Sequence, residues 1–202
     1  MSQKVVFFLF RVGERKKGIT MQDLRYPVGR CPSKPVLTPD ERREGIDAIA
    51  QTPARLKSAI AGLSPEQLDT PYRPGGWTVR QVIHHLPDSH MNSYVRFKLA
   101  LTEDVPTIKP YAEDLWAKLE DVRKTPIEVS LALLENLHER WVILLRSLSD
   151  QDFARKFRHP EIGELTLGLN LGLYAWHGKH HVAHITSLRE RMGWNKGVAT
   201  AR

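Results

Sequence analysis

The sequence predicts an all-α protein, a four-helix bundle with short connecting helices and a small hairpin. Three observations predict this fold class: four long segments open with helix start signals, strand signals are nearly absent, and no internal repeat of solenoid period is visible. At 202 residues the chain can bury a substantial core as one domain of ordinary size. We therefore expect a single helical domain over residues 21–202.

The four long helices begin at recognisable capping signals. Thr38 and Thr78 each stand three residues before Glu or Gln, the pattern of a capping box, and Thr125 repeats this pattern for the third segment. The fourth segment follows Thr166 and stops at Gly193, a residue type that commonly ends helices. The predicted helices run over 38–63, 78–101, 125–148 and 166–192.

Shorter elements are expected between these helices. Ser64, followed by Pro, Glu and Gln, predicts a short helical turn after the first helix. A brief helix is expected around Tyr111–Leu119, and the main strand signal is a small hairpin near Phe157–Leu167.

The net charge of +7 is concentrated at the amino terminus. Residues 1–20 hold five basic groups and one acid, which leaves about +3 for the remaining chain, where both signs are interspersed. No basic stripe interleaved with aromatic residues follows, so a nucleic-acid partner is not expected. The composition of residues 1–20 differs from the rest, and we expect a disordered or mis-assigned extension, with Met21 as the native start.

Membrane insertion and disulfide formation are not expected either. The apolar run Val5–Phe10 has six residues, far fewer than the ~18 that a membrane span needs. Its flanks make a poor secretory signal. The single cysteine, Cys31, excludes an intramolecular disulfide, so we expect a protein of the reducing cytoplasm.

Seven of the nine histidines fall in two short clusters on two of the predicted helices. The clustered residues are His84, His85, His90, His177, His180, His181 and His184. Imidazole is the commonest side-chain ligand for transition metals, and a catalytic metal typically has three protein ligands and one open position. The clusters therefore predict a metal site that bridges two helices.

Helical geometry leaves alternatives open within both clusters. In the second cluster the i,i+4 pairs His177 with His181 and His180 with His184 can each bind one ion. Tyr174 falls on the same arc, with Trp176 beside it. In the first cluster His90 lies in the apolar stripe and His85 on its flank, and periodicity does not choose between them. Pro87 is expected to kink the helix just past the histidine pair.

Three stretches of the chain resemble the YfiT branch of the DinB-like superfamily. The first, 69–92, contains Pro-Gly-Gly-Trp-Thr-Val-Arg-Gln-Val-Ile-His-His, and the second, 172–185, contains Trp-His-Gly-Lys-His-His-Val-Ala-His. The segment Asp23–Gly29 resembles the start of that family, which supports Met21 as the native beginning. The likeness covers about Asp23 to Trp194, nearly the whole body of the chain.

The resemblance implies a four-helix bundle with three histidines on one divalent metal, zinc or nickel. Matched to the family's motifs, the ligands fall on His85, His177 and His181. The other four clustered histidines, His84, His90, His180 and His184, then become candidates for the surrounding pocket, together with Asn92 and Tyr174. The visible departure is Pro87, where the family more often has alanine.

The resemblance also implies two alternative reactions. We favour transfer of a low-molecular-weight thiol, such as bacillithiol, to an electrophile, because the superfamily includes thiol S-transferases. Cys31 lies outside the motifs, so a thiolate nucleophile is expected to come from a small-molecule cosubstrate. The alternative is a metal-dependent hydrolase that activates water at the same site, and a non-catalytic metal-binding stress-response module is a third reading. The sequence does not determine the oligomeric state, and a homodimer is one candidate.

The general base is not identified by the sequence. Asp88 and His184 are the candidates, and Asp88 lies one turn beyond the histidine pair, where a carboxylate can orient a ligand histidine. The alternative interpretation is that Asp88 is a solvated acid on the helix face. Asn92 and Arg96 continue the His85 side and can contact an anionic substrate. Three further residues recur in the family-like segments without an assigned role: Arg25, Tyr26 and Arg73.

Overall fold

The computed structural model describes residues 23–32, 34 and 36–194, and these form a four-helix bundle with short helices and one hairpin. The extension expected over residues 1–20 lies outside the described residues. The elements are α1 (Pro39–Ile60), α2 (Pro65–Leu68), α3 (Val79–Thr102), α4 (Glu113–Trp116), α5 (Glu120–Lys124), α6 (Ile127–Ser147), α7 (Asp150–Ala154), β1 (Lys156–His159), β2 (Gly163–Thr166) and α8 (Leu167–Arg191). The predicted fold class is confirmed, and α5 and α7 are short helices that the sequence analysis did not predict.

The predicted caps form at every long helix except α6. Thr38, Ser64 and Thr78 each accept a hydrogen bond from the backbone N–H three residues on, and the Glu or Gln at that position reciprocates. The box predicted at Thr125 is wrong, since Pro126 is the N-cap of α6 and makes no side-chain cap. Thr125 instead ends α5, donating its backbone N–H to the carbonyl of Asp121.

The four long helices form a ring in which each packs on two neighbours. Helix α1 packs on α8 and α6, and α3 packs on the same two helices. The apolar residues near the start of α1 and α8 share one cluster with those near the end of α3 and α6. Helices α1 and α8 therefore run in one direction, and α3 and α6 run in the other.

Two apolar clusters fill the two ends of the bundle. One is centred on Phe97, Trp141 and Leu171, and the other on Leu56 and Ile83. Every long helix passes from one cluster to the other through a short buried polar stretch. The buried polar residues at that level are Thr52, His85, Ser89, His90, Ser93, His138, His177, His180, His181 and His184. Most of the clustered histidines thus lie in a polar layer across the middle of the bundle.

The predicted hairpin is present and covers one end of the bundle. Its strands pair antiparallel, with Phe157 opposite Leu165, and both side chains are buried in the Phe97 cluster. The carbonyl of Arg158 accepts from the N–H of Ile108, which ties the hairpin to the segment after α3. Within the described part of the chain, every helix is too short or too polar to cross a bilayer.

Candidate metal centre

Three histidines from two helices converge inside the polar layer. His85 comes from α3, and His177 and His181 lie one turn apart on α8. Each offers a ring nitrogen, and the three nitrogens lie within 4.8 Å of one another. All three residues are buried. These are the three residues that the resemblance implied as ligands.

The surroundings of these nitrogens fit a divalent metal. Nε2 of His85 lies 3.3 Å from Nε2 of His177, and both ring nitrogens of His181 are buried without a hydrogen-bond partner. Burial lowers the pKa of His177 to about 3 and also lowers the pKa of the other two rings, so all three are neutral near pH 7. Neutral imidazole is the form that binds metals. A metal would satisfy nitrogens that are otherwise costly to bury.

The other i,i+4 pair on α8 is held by aromatic rings instead. His180 stacks on Trp176 with ring centroids 4.2 Å apart, and His184 stacks on Tyr72 at 3.9 Å. Nε2 of His184 lies 3.2 Å from the backbone carbonyl of Arg25, to which it donates. Both histidines line the cavity, but neither belongs to the group that can hold a metal.

Several predicted pocket residues lie outside the cavity. His84 faces α6, with Nδ1 2.7 Å from the hydroxyl of Ser130, and Asn92 donates to the backbone carbonyl of Asp88 on its own helix. The Asp88 carboxylate makes no hydrogen bond to a ligand histidine. It is half-buried, and burial followed by the nearby charge of Asp121 raises its pKa to about 6.

His90 also lies outside the cavity, but it contacts a ligand histidine directly. Its Nε2 lies 3.1 Å from Nδ1 of His177, and its Nδ1 lies 2.8 Å from Nε2 of His138. Nδ1 of His138 is in turn 2.7 Å from the carbonyl oxygen of Ile49. Three imidazoles thus connect α8 to the backbone of α1.

His138 was not among the predicted site residues, because it stands alone in the sequence, far from both histidine clusters. The available signal was its position on the buried stripe of α6, where its neighbours at helical spacing are Leu134, Trp141 and Leu145. A histidine in an otherwise apolar stripe requires a hydrogen-bond partner when the helix packs.

The three ligand nitrogens open into a cavity of about 760 Å³. Its wall beside the site is Trp77, whose ring meets His85 edge-on at 4.6 Å and donates its N–H to Asp114. The predicted residue Tyr174 also lines it. The basic lining residues are Arg25, Arg30, Arg73, Arg96 and Lys118, and the acidic ones are Glu113 and Asp114. Arg25 is already paired with Asp23, but the other basic side chains still outnumber the two acids, so the cavity suits a ligand with negative charge.

Cys31 lies in the cavity lining, although its sequence context had given no such indication. Burial raises the pKa of this thiol to about 12. It is therefore protonated near pH 7, and the thiol form is a poor nucleophile.

The fold and the site together define a four-helix-bundle protein with a group of three histidines that can hold a metal. A family profile described as the DinB superfamily matches residues 48–185, and the chain belongs to that superfamily. The resemblance drawn from the sequence is confirmed.

Several relatives share most of the chain. Proteins of Bacillus cereus (strain ATCC 10987 / NRS 248) and Bacillus thuringiensis subsp. konkukian (strain 97-27), both provisionally named metal-dependent hydrolases, are each 58% identical over 174 residues, which is 86% of this chain and 100% of theirs. The structure of YfiT from Bacillus subtilis, described as a probable metal-dependent hydrolase with an unusual four-helix bundle topology, matches with a TM-score of 0.82 and 52% identity over 85% of this chain and 98% of that one. TT2238, a four-helix bundle protein, matches in fold alone, with a TM-score of 0.50 and 22% identity over 72% of this chain and 98% of that one.

Proposed function

We propose that this protein is a metal-dependent transferase that joins the sulfur of a low-molecular-weight thiol to an electrophile. The observation that carries the proposal is the composition of the centre. Among the residues described, the group that can hold a metal consists of imidazoles, with no carboxylate and no cysteine in it.

Such a centre can activate either a thiol or water, and the demands of proton transfer favour a thiol as the nucleophile here. When bound, a divalent metal such as zinc or nickel supplies a Lewis acid that deprotonates a coordinated thiol outright and lowers the pKa of a coordinated water. Once the thiol has lost its proton to solvent on binding, its transfer needs no further general base from the protein. Hydrolysis benefits from a side chain that accepts a proton from the water and donates one to the leaving group. Asp114, one of the two acids of the lining, already accepts a hydrogen bond from Trp77.

The remaining residues of the cavity bind and orient the substrates. A volume of about 760 Å³ lies in the range of cavities that enclose ligands of drug or cofactor size. The basic side chains of the lining can pair with carboxylate or phosphate groups of either substrate. Trp77 and Tyr174 cover the centre with aromatic surface, which keeps bulk water away from the reacting atoms.

We expect the nucleophile to come from the cosubstrate, because Cys31 lies outside the group that can hold the metal and its burial disfavours the thiolate. The test is conjugation of bacillithiol or a similar thiol to a panel of electrophiles, followed by mass spectrometry of the product. We expect conjugation that depends on added zinc or nickel, is lost in His85→Ala and is retained in Cys31→Ser. Loss of conjugation in Cys31→Ser with metal still bound would place the nucleophile on the protein.

A second candidate, a metal-dependent hydrolase, is favoured by the names of the Bacillus relatives. It uses the same three histidines with water in place of the thiol. Hydrolysis of esters or amides that needs metal but no thiol, with no conjugation across the panel, would establish this alternative. A protein that binds metal and shows neither activity would be a non-catalytic metal-binding module.

A further inference from the structure

Pro53 leaves one carbonyl of α1 without a helical donor. In an α-helix the N–H of each residue donates to the carbonyl four residues earlier, and proline has no N–H. Pro53 lies inside α1, so the carbonyl of Ile49 has no donor at that position. Ile49 is fully buried, so the missing donor must come from another side chain. His138 supplies it, with Nδ1 2.7 Å from the carbonyl oxygen.

This contact determines which nitrogen of His138 carries the proton. A carbonyl only accepts, so Nδ1 of His138 must be the N–H donor. Burial lowers the pKa of His138 to about 4, so the ring is neutral and its Nε2 holds a lone pair. Nε2 of His138 then accepts from Nδ1–H of His90, 2.8 Å away.

The same donor and acceptor argument determines the tautomers of His90 and His177. A His90 ring that donates from Nδ1 to His138 has its lone pair at Nε2 in the neutral form, and this Nε2 accepts from Nδ1–H of His177, 3.1 Å away. His177 therefore presents a lone pair at Nε2, the nitrogen that lies 3.3 Å from Nε2 of His85.

We propose that the carbonyl of Ile49, freed by Pro53, sets the tautomer of His177 through His138 and His90 and so holds Nε2 ready to bind the metal. His138 and His90 are positioning residues in this role. The proposal concerns metal binding and holds whichever reaction the centre performs.

The opposite set of tautomers in the three imidazoles is disfavoured at the carbonyl of Ile49. If His177 carried its proton on Nε2, each ring would reverse, and His138 would turn a lone pair toward the carbonyl of Ile49 at 2.7 Å. Two buried acceptors facing each other leave both unsatisfied. A carbonyl also takes no proton near neutral pH, so the chain fixes a tautomer and does not conduct protons.

The direct test is the tautomer of each ring in the metal-free wild-type protein. Long-range ¹H–¹⁵N correlation spectra of protein labelled with ¹⁵N-histidine distinguish Nδ1–H from Nε2–H. We expect Nδ1–H in His138, His90 and His177. An Nε2–H tautomer in any of these three rings would overturn the proposal, and this measurement needs no variant to fold.

A second test measures affinity for zinc by competition with a chelating indicator. His138→Phe keeps the ring volume but breaks the chain, and we expect affinity about 10- to 100-fold weaker, the usual effect of losing a group that orients a ligand histidine. His138→Gln supplies an N–H for Ile49 and an acceptor for His90, and we expect it to recover most of the loss.

Ser130→Ala is the matched control for these variants. It removes a buried hydrogen bond of α6, the one to His84, at a point away from the three-imidazole chain. We expect it to bind zinc like the wild type. Wild-type affinity in a folded His138→Phe, or equal losses in all three variants, would overturn the proposal. Absence of thiol conjugation in the wild-type protein, with the expected order of zinc affinities, would count against the proposed reaction and leave this proposal intact.

Discussion

A β-carbon placed on Gly178 would lie 2.5 Å from the hydroxyl oxygen of Thr52 and 2.9 Å from its methyl carbon. These distances are shorter than van der Waals contact, so α8 approaches α1 closely at this point because residue 178 has no side chain. Thr52 is almost fully buried and has little room to move. Gly178 directly follows His177, so this close approach positions the ligand segment of α8.

We expect Gly178→Ala to reduce the free energy of unfolding by about 1–3 kcal/mol, the usual cost of overpacking a buried contact. Zinc affinity should also fall because His177 and His181 move with α8. Chemical denaturation and metal titration measure the two effects, and adding Thr52→Ala should recover part of both. Gly172→Ala is the control, since its β-carbon would meet Leu37 at an ordinary 3.7 Å. Equal stability of the Gly178 and Gly172 variants would contradict this account.

Metal content separates the two i,i+4 pairs of α8. Purified protein should hold about one divalent metal per chain, as expected for one three-histidine site. His177→Ala combined with His181→Ala should abolish binding, because it leaves His85 as a single ligand. His180→Ala combined with His184→Ala should retain most of the metal, as measured by elemental analysis. The reverse result would move the site to the other register.

Asp88→Asn should stabilise the protein at neutral pH. The pKa of Asp88 is raised from 3.8 to about 6 in the folded state, so between these values the folded protein keeps a proton that the unfolded chain releases. Stability therefore falls as pH rises through this window. Allowing for the water that reaches this half-buried group, we expect the variant to gain about 1 kcal/mol at pH 7 and nothing below about pH 4.

Chemical denaturation at pH 7 and pH 3 measures the difference in unfolding free energy between Asp88→Asn and the wild type. Asp47→Asn is the control, because Asp47 is an exposed carboxylate on α1 paired with Arg146. It should change stability little at either pH. A gain in Asp88→Asn that persists at pH 3 would show that ionisation is not its cause.

Arg189→Met should destabilise the end of α1. The guanidinium of Arg189 is buried and donates to the carbonyls of Ala59 and Ala61, 2.8 and 2.9 Å away. The methionine fills similar volume but leaves these carbonyls without that donor, and we expect a loss of about 2–4 kcal/mol in the free energy of unfolding. Arg146→Met, at an exposed ion pair, should cost less than about 1 kcal/mol.

The sequence by itself determined the elements whose signals are local. Capping at Thr38, Thr78 and Thr166 acts within a few residues of the same chain segment, so the starts of α1, α3 and α8 were predicted within one or two residues. The hairpin was predicted for the same reason. At Thr125 two local signals competed. The backbone N–H of Thr125 caps the end of α5, and the capping box predicted for α6 did not form.

Only the tertiary structure decided how the histidines divide their roles. His85 and His90 are both buried on α3, and periodicity treats them alike, but packing against α8 brings one to the ligand group and the other to Nδ1 of His177. His138 could not be selected from its own segment, because its partners lie 48 and 89 residues away along the chain. Hydrogen bonds between distant residues exist only once the helices have packed, and for that reason the sequence pattern of one helix could not reveal them.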